Sequence, residues 1–158
     1  TLLKAVQKLP QRERPELRLK ALMQLLVETG CSVSEVGDIR GEDVGTKEIR
    51  LSDRKVPVSP ELIALLEVLA TDENKPVFEG HNRFGSLGGA VTSRGVELIV
   101  ESLCTRLGFE GLTPKVIRKS TALFWLEKGI EADEVRKRLG LKTLYAFRAL
   151  QPRIKDRS

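Results

Sequence analysis

The chain alternates apolar runs with capping residues and glycine stops, a pattern typical of helical proteins. The leucines of the first predicted helix, residues 15–29, recur every three or four positions before Gly30 ends it: Leu19, Leu22, Leu25 and Leu26. Most of the other helices are predicted from a Ser, Thr or Pro at the start and a Gly at the end. These cover residues 59–70, 92–107, 113–129, 131–139 and 143–150, and a single helical turn is predicted at 34–36.

Strand character is confined to the N-terminal third. Residues 48–51 and 55–58 flank Ser52-Asp53, which predicts a tight hairpin. Residues 71–91 are polar and Gly-rich and predict a loop, with Val77 and Phe78 as its buried anchor. The predicted fold class is therefore mainly α with a small antiparallel β-sheet (α+β), in a single domain over residues 1–158. Because the chain opens at Thr1 rather than Met, we expect a fragment of a longer protein.

The composition narrows the class of protein. Apolar residues make up 41% and charged residues 31%, as in ordinary globular proteins. The longest apolar runs, 62–66 and 123–126, are too short to cross a bilayer, so we expect no membrane role. Cys31 and Cys104 lack metal-ligand spacing, and no nucleotide-binding glycine pattern is present. We therefore expect the two cysteines to be reduced core residues of a cytoplasmic protein, and we expect no metal and no cofactor.

Positive charge is concentrated near the C-terminus. Residues 115–158 contain twelve Lys or Arg against five Asp or Glu, a net +7, whereas residues 1–114 carry −2. A solvated helical face usually mixes both signs, so this one-sided distribution indicates a polyanionic partner.

Three of these cations share one face of the helix that follows Pro114. Lys115, Arg118 and Lys119 stand at positions i, i+3 and i+4. Three cations at a helix start are unfavourable with the positive end of the helix dipole, and a bound phosphate would relieve that. The planar Arg118 fork can hold two phosphate oxygens. We expect its head group to lie outside the core, while the apolar neighbours Val116, Ile117, Leu123 and Phe124 pack inward.

The same helix carries a family resemblance. L-T-P-K-V-I-R-K-S-T-A, followed a helix-length interval later by R-L-G-L, resembles the active-site helix and turn of the tyrosine recombinase (phage integrase) family, of the Xer type. In that family the pattern is H/K-x-x-R and then L-G-H/W. Lys115 and Arg118 keep the first half of this pattern, whereas Leu141 replaces its His or Trp. The resemblance covers roughly residues 14–150 and implies the family's helix, hairpin, helices order.

Two further segments resemble the family and depart from it. T-G-C-S-V-S-E, residues 29–35, resembles its T-G-x-R-x-S-E signature, but Ser32 replaces the Arg that helps neutralise the scissile phosphate. Losing one such electrostatic donor typically costs about a hundred- to a thousandfold in rate. R-K-V-P-V, residues 54–58, resembles the hairpin segment K-x-R-x-V-P-L, in which a Lys protonates the leaving 5′ oxygen. Lys47 or Lys55 is the candidate for it, or Lys55 merely guards a strand edge.

The family's nucleophile is a Tyr about ten residues after the Gly of L-G-H/W, a position that Leu150 occupies here. The single tyrosine, Tyr145, comes five residues too early. Five residues are nearly one and a half helical turns, so its hydroxyl would face elsewhere. With the Arg, the His/Trp and the Tyr all replaced, the resemblance implies that strand cleavage is lost.

We therefore expect a degenerate recombinase that retains the fold and binds the backbone of duplex DNA. Its predicted phosphate contacts are Lys115, Arg118 and Lys119, with Lys55 on the hairpin. The resemblance also implies that its C-terminal helix mediates self-association or docks on a partner recombinase. Two alternatives stay open: an active strand-breaking and rejoining enzyme that uses Tyr145 as nucleophile, and a helical protein-interaction module without a nucleic-acid role.

Overall fold

The computed structural model describes residues 2–7, 14–81 and 87–143. Within these ranges the helices are α1 (Leu2–Gln7), α2 (Arg14–Thr29), α3 (Val33–Asp38), α4 (Pro60–Leu69), α5 (Ser93–Arg106), α6 (Pro114–Glu127) and α7 (Ala132–Leu139), with a 3-10 turn at Gly41–Asp43. The strands are β1 (Glu48–Leu51), β2 (Arg54–Pro57), β3 (Glu79–His81) and β4 (Leu87–Ala90). The predicted fold class, mainly helical with a small antiparallel sheet, is confirmed.

Local capping chemistry explains why the predicted helices begin where they do. A hydroxyl at the starts of α4, α5 and α6 accepts a hydrogen bond from a backbone N–H three residues on, at Ser59, Thr92 and Thr113. All but the first residue of the helix predicted at 143–150 lies outside the described residues, and α1 was not predicted. Among the helices that the structure describes, none is long and apolar enough to cross a membrane.

The predicted hairpin is confirmed, with its second strand one residue earlier than expected. Ile49 pairs with Val56 and Leu51 with Arg54, and the turn places Ser52 at a positive φ of 58°. The prediction of an unbroken loop over residues 71–91 is wrong, because β3 and β4 form a second antiparallel pair there. This pair forms next to a buried anchor, where the Val91 N–H donates to the Phe78 carbonyl over 3.0 Å.

Helix α2 is the centre of the core. It packs against α4, α5 and α6, and Leu22, Met23 and Leu25 are fully buried on it. Helix α7 packs against α6 and against strand β2, which brings the hairpin close to the end of α7. Cys31 and Cys104 are both buried and free, which confirms that they are core thiols rather than a disulfide.

Phe124 is the exception on α6. The prediction that it packs inward is wrong, because its side chain is 54% exposed. The buried stripe of α6 instead runs through Ile117, Thr121 and Trp125, four residues apart, which leaves Phe124 at the edge of the core. Its ring lies 5.4 Å from the Lys128 Nζ, a cation–π contact at the surface.

Candidate nucleic-acid interface

A groove of about 820 Å³ opens between the start of α3, one face of α5 and the start of α6. Its charged lining comprises three cations and three carboxylates: Arg94, Lys115, Arg118, Glu97, Glu101 and Glu110. Arg94 is paired with Glu97 over 3.2 Å on α5. Lys115 and Arg118, both on the first turns of α6, are the other two cations of the lining.

The start of α6 is suited to an anion. Thr113 caps the helix and Pro114 opens it, and no acidic residue occupies the first turn. Lys115 is exposed one residue further on. Because unpaired backbone N–H groups and the positive dipole end already favour negative charge here, an exposed Lys115 adds to the attraction for a phosphate.

Arg118 lies deeper than the sequence predicted. Its guanidinium is half-buried and donates hydrogen bonds to two carbonyls, Nη1 to Gly30 over 2.6 Å and Nη2 to Leu139 over 2.8 Å. The expectation that this head group lies outside the core is therefore wrong. Burial lowers the pKa of Arg118 from its ordinary value, while Glu35 opposes that shift. These two bonds do not use all the N–H groups of the guanidinium, and Arg118 lines the groove.

Arg54 and Glu35 form a two-pronged ion pair that the sequence analysis did not identify. Arg54 Nη1 lies 2.6 Å from Glu35 Oε2, and Nη2 lies 3.0 Å from Oε1. Each side chain is only 12% exposed. Burial by itself would raise the pKa of Glu35, but hydrogen bonds from Arg54, the Ser32 backbone and Ser52 hold that pKa below its ordinary value. The pair is thus ionised and well satisfied.

The two arginines meet at the C-terminal end of α7. Arg54 Nε donates to the Arg138 carbonyl over 2.7 Å, and Arg118 Nη2 bonds the next carbonyl, that of Leu139. The last carbonyls of a helix lack intrahelical partners and lie at its negative end, so two guanidinium groups stabilise them. The hairpin, α6 and α7 are therefore joined at one point.

Two glycines permit this close approach. Gly140 follows α7 with a φ of 74°, and a Cβ there would lie 2.5 Å from Arg54 Nη1. Gly30 follows α2 with a φ of 61°, and a Cβ there would lie 2.9 Å from Leu139 Cδ2. Both glycines adopt a left-handed conformation that favours glycine, and the missing Cβ makes room for Arg54 at Gly140 and for Leu139 at Gly30.

Ser32 occupies the place where the resemblance expects an arginine. It is the N-cap of α3, its N–H donates to Glu35 Oε1 over 3.0 Å, and its hydroxyl donates to the same oxygen over 3.2 Å. It lines the groove next to Arg118 but carries no charge. The Glu35 carboxylate, to which Ser32 donates, is neutralised by Arg54.

The other predicted phosphate contacts do not join this cluster. Lys119 is half-buried on α6, and it does not line the groove. Lys55 is exposed on β2 and pairs with Glu48 over 3.6 Å. Because side chains alternate along a strand, Lys55 points to the face opposite Arg54. The structure thus brings together Lys115 and Arg118 and leaves Lys119 and Lys55 apart from them.

Of the C-terminal positions that bear on catalysis, the described residues include only Leu141. Leu141, which stands where the family keeps His or Trp, is half-buried, and its carbonyl accepts a hydrogen bond from Arg136 Nη1 over 2.8 Å. Tyr145 and Leu150 lie outside the described residues. The prediction about the nucleophile therefore stays a prediction.

One signal in the sequence pointed to Arg54. It stands where the hairpin segment K-x-R-x-V-P-L has its Arg, next to Lys55, the lysine named as a candidate above. Glu35 likewise stands at the Glu of T-G-x-R-x-S-E. Neither position shows from spacing alone that the two side chains meet, because 19 residues separate them.

Comparison with known proteins places this geometry in a family. The profile of the Phage integrase family matches residues 1–146. Tyrosine recombinase XerC of Chlamydia pneumoniae is 26% identical over 142 residues, which cover 81% of this chain and 45% of the relative. XerC of Herpetosiphon aurantiacus is 29% identical over 143 residues, covering 78% and 44%. The chain thus spans less than half the length of these relatives.

Solved structures agree on the fold. The crystal structure of XerA recombinase matches with a TM-score of 0.74 at 20% identity, covering 94% of this chain and 54% of that one. The post-cleavage complex of XerH recombinase with a palindromic difH substrate matches with a TM-score of 0.74 at 22% identity, covering 98% and 48%. The helical arrangement and hairpin described above are therefore those of a tyrosine recombinase catalytic domain.

Proposed function

Because the chain belongs to the phage integrase family, we propose that it is a duplex-DNA-binding domain of tyrosine-recombinase type whose strand-cleaving site is degenerate. The observation that carries this proposal is the presence of Lys115 and Arg118 together in the groove lining, at the start of α6. Lys115 is exposed, and Arg118 uses two of its N–H groups for backbone carbonyls. Both lie at the start of a helix whose first turn has no acidic residue, a position that favours a backbone phosphate. The XerH structures that share the fold are complexes with difH DNA, which supports the same ligand class here.

The proposal that the cleavage site is degenerate rests on two positions that lack a charged side chain. Cleavage through a phosphotyrosine needs a placed phenol and preorganised stabilisation of the charge that gathers on the phosphate. Ser32 supplies a hydroxyl in place of a guanidinium, and Leu141 supplies no donor side chain. Arg54 does not compensate for Ser32, because Glu35 holds it in a two-pronged pair. The groove can therefore bind a phosphate better than it can activate one.

DNA binding is tested by its salt dependence. We expect weakly sequence-selective binding to a labelled duplex, measured by fluorescence anisotropy. If about three to six phosphates are neutralised, log affinity falls against log salt with a slope of about −3 to −5. A flat salt response, or no binding at about 50 mM salt, would refute the DNA-binding proposal.

Loss of cleavage is tested on the same preparation. A nicked suicide duplex traps the covalent intermediate of an active recombinase, and we expect no shifted band on a denaturing gel. A band that disappears in Tyr145→Phe would show that Tyr145 is the nucleophile and that the domain is an active strand-breaking enzyme. A band that persists in that variant would indicate a different nucleophile.

A further inference from the structure

The Arg54–Glu35 pair lies against Arg118 but does not line the groove. Arg54 and Arg118 bond successive carbonyls of α7, those of Arg138 and Leu139, so their guanidinium groups are neighbours. Glu35 interacts electrostatically with both arginines. One carboxylate therefore lies within the range of two guanidinium groups and is bonded to only one of them.

The hydrogen bonds of Glu35 are saturated in this arrangement. Oε1 accepts from the Ser32 N–H, the Ser32 hydroxyl and Arg54 Nη2, while Oε2 accepts from Ser52 Oγ and Arg54 Nη1. A carboxylate that is held by a planar fork and two serines has neither the freedom nor the remaining lone pairs to turn toward Arg118.

We propose that Arg54 is a positioning residue that keeps Glu35 from neutralising Arg118, so that the positive charge of Arg118 remains available to a DNA phosphate. This inference rests on the proposed DNA-binding function and adds a residue to it. With Arg54 present, its positive charge neutralises Glu35, and the positive charge of Arg118 has no paired carboxylate among the described residues. Without Arg54, the largely buried Glu35 carboxylate pairs with Arg118, a cation with which it already interacts electrostatically, and the groove loses that charge.

The chemistry of a poorly hydrated carboxylate favours that outcome. A partly buried charge that loses its partner is strongly destabilised, so it seeks another ion pair. A guanidinium engaged by a carboxylate competes poorly for phosphate, since both acceptors need the same planar donors. Arg54 therefore affects DNA through Arg118 without touching the duplex.

The test compares four variants for duplex binding by anisotropy and for folding by thermal melting. Arg54→Met leaves Glu35 unpaired, and we expect an affinity loss of about tenfold or more. Glu35→Gln combined with Arg54→Met removes the competing carboxylate as well, and we expect affinity within about threefold of the wild type. Glu35→Gln alone should bind at least as tightly as the wild type. Arg50→Met, on the exposed side of the same hairpin, is the matched loss of one Arg charge.

A purely structural role for Arg54 predicts a different result. The double variant would then bind as weakly as Arg54→Met, and that outcome overturns the inference. An Arg54→Met affinity equal to that of Arg50→Met overturns it too, as does a tenfold loss in Glu35→Gln. If Arg54→Met does not fold, the double variant decides, because it leaves no unpaired buried charge: tenfold weaker binding by a cooperatively melting double variant refutes the inference. A wild-type chain that binds no DNA refutes the proposed function first, and the inference with it.

Discussion

Replacing Arg118 with Met removes two charge-assisted hydrogen bonds while keeping most of the side chain's apolar stem. The bonds run to the carbonyls of Gly30 and Leu139, which lie in the turn after α2 and in the last turn of α7. A hydrogen bond to a charged group contributes about 1.5–3 kcal/mol. Since Arg118 is only half-buried, water can partly replace it at each carbonyl, and we expect a total loss of about 2–4 kcal/mol.

The assay is thermal and urea unfolding followed by circular dichroism, with Lys115→Met as the control. Both variants remove one cation from the same helix, but Lys115 is exposed and we expect its loss to change stability by less than about 0.5 kcal/mol. For a chain of this size each kcal/mol lowers Tm by about 2–4 °C, so Arg118→Met should melt about 4–16 °C lower.

The two variants should separate again in DNA binding. Lys115→Met should make the slope of log affinity against log salt less steep by about one unit, as expected for the loss of one phosphate contact, and leave the urea midpoint unchanged. Arg118→Met should weaken binding and stability together. Equal urea midpoints for the two variants would show that Arg118 does not hold α7 to the turn after α2 in solution, and the reasoning from its carbonyl contacts would fail.

Two further predictions concern the same cluster. Gly140→Ala should destabilise the chain by at least about 1 kcal/mol more than Gly129→Ala in urea unfolding, because both have positive φ but only at Gly140 would a Cβ meet Arg54; equal losses would contradict the close approach. The depressed pKa of Glu35 contributes stability that is present in full above its ordinary value and is lost as pH falls through the folded-state value. Stability should therefore fall on acidification more steeply in the wild type than in Glu35→Gln, and parallel pH profiles would contradict this.

Local chemistry explains how much of this fold could be predicted. The helix starts at Ser59, Thr92 and Thr113 could be predicted because a capping side chain bonds a backbone N–H only three residues away. The hairpin was readable for the same reason, since two adjacent strands and their turn are one local unit. The grouping of Lys115 with Arg118 likewise follows from helical spacing alone.

Two features of the fold depend on packing between segments that are distant in sequence. The exposure of Phe124 depends on which neighbours cover α6, and the β3–β4 pair depends on a buried anchor beside it, so neither could be settled by periodicity. Both are cases in which tertiary contacts override a local preference.

The environment of Arg118 was decided entirely by the tertiary structure. Its carbonyl partner at Gly30 is 88 residues away, and the Arg54 partner at Arg138 is 84 residues away. The sequence by itself determined that a cation stands at position 118 and that no cation stands at Ser32. Which carbonyls and carboxylates share those charges is determined by how α2, α7 and the hairpin converge, because electrostatic and hydrogen-bonding partners are selected by distance in space and not by distance along the chain.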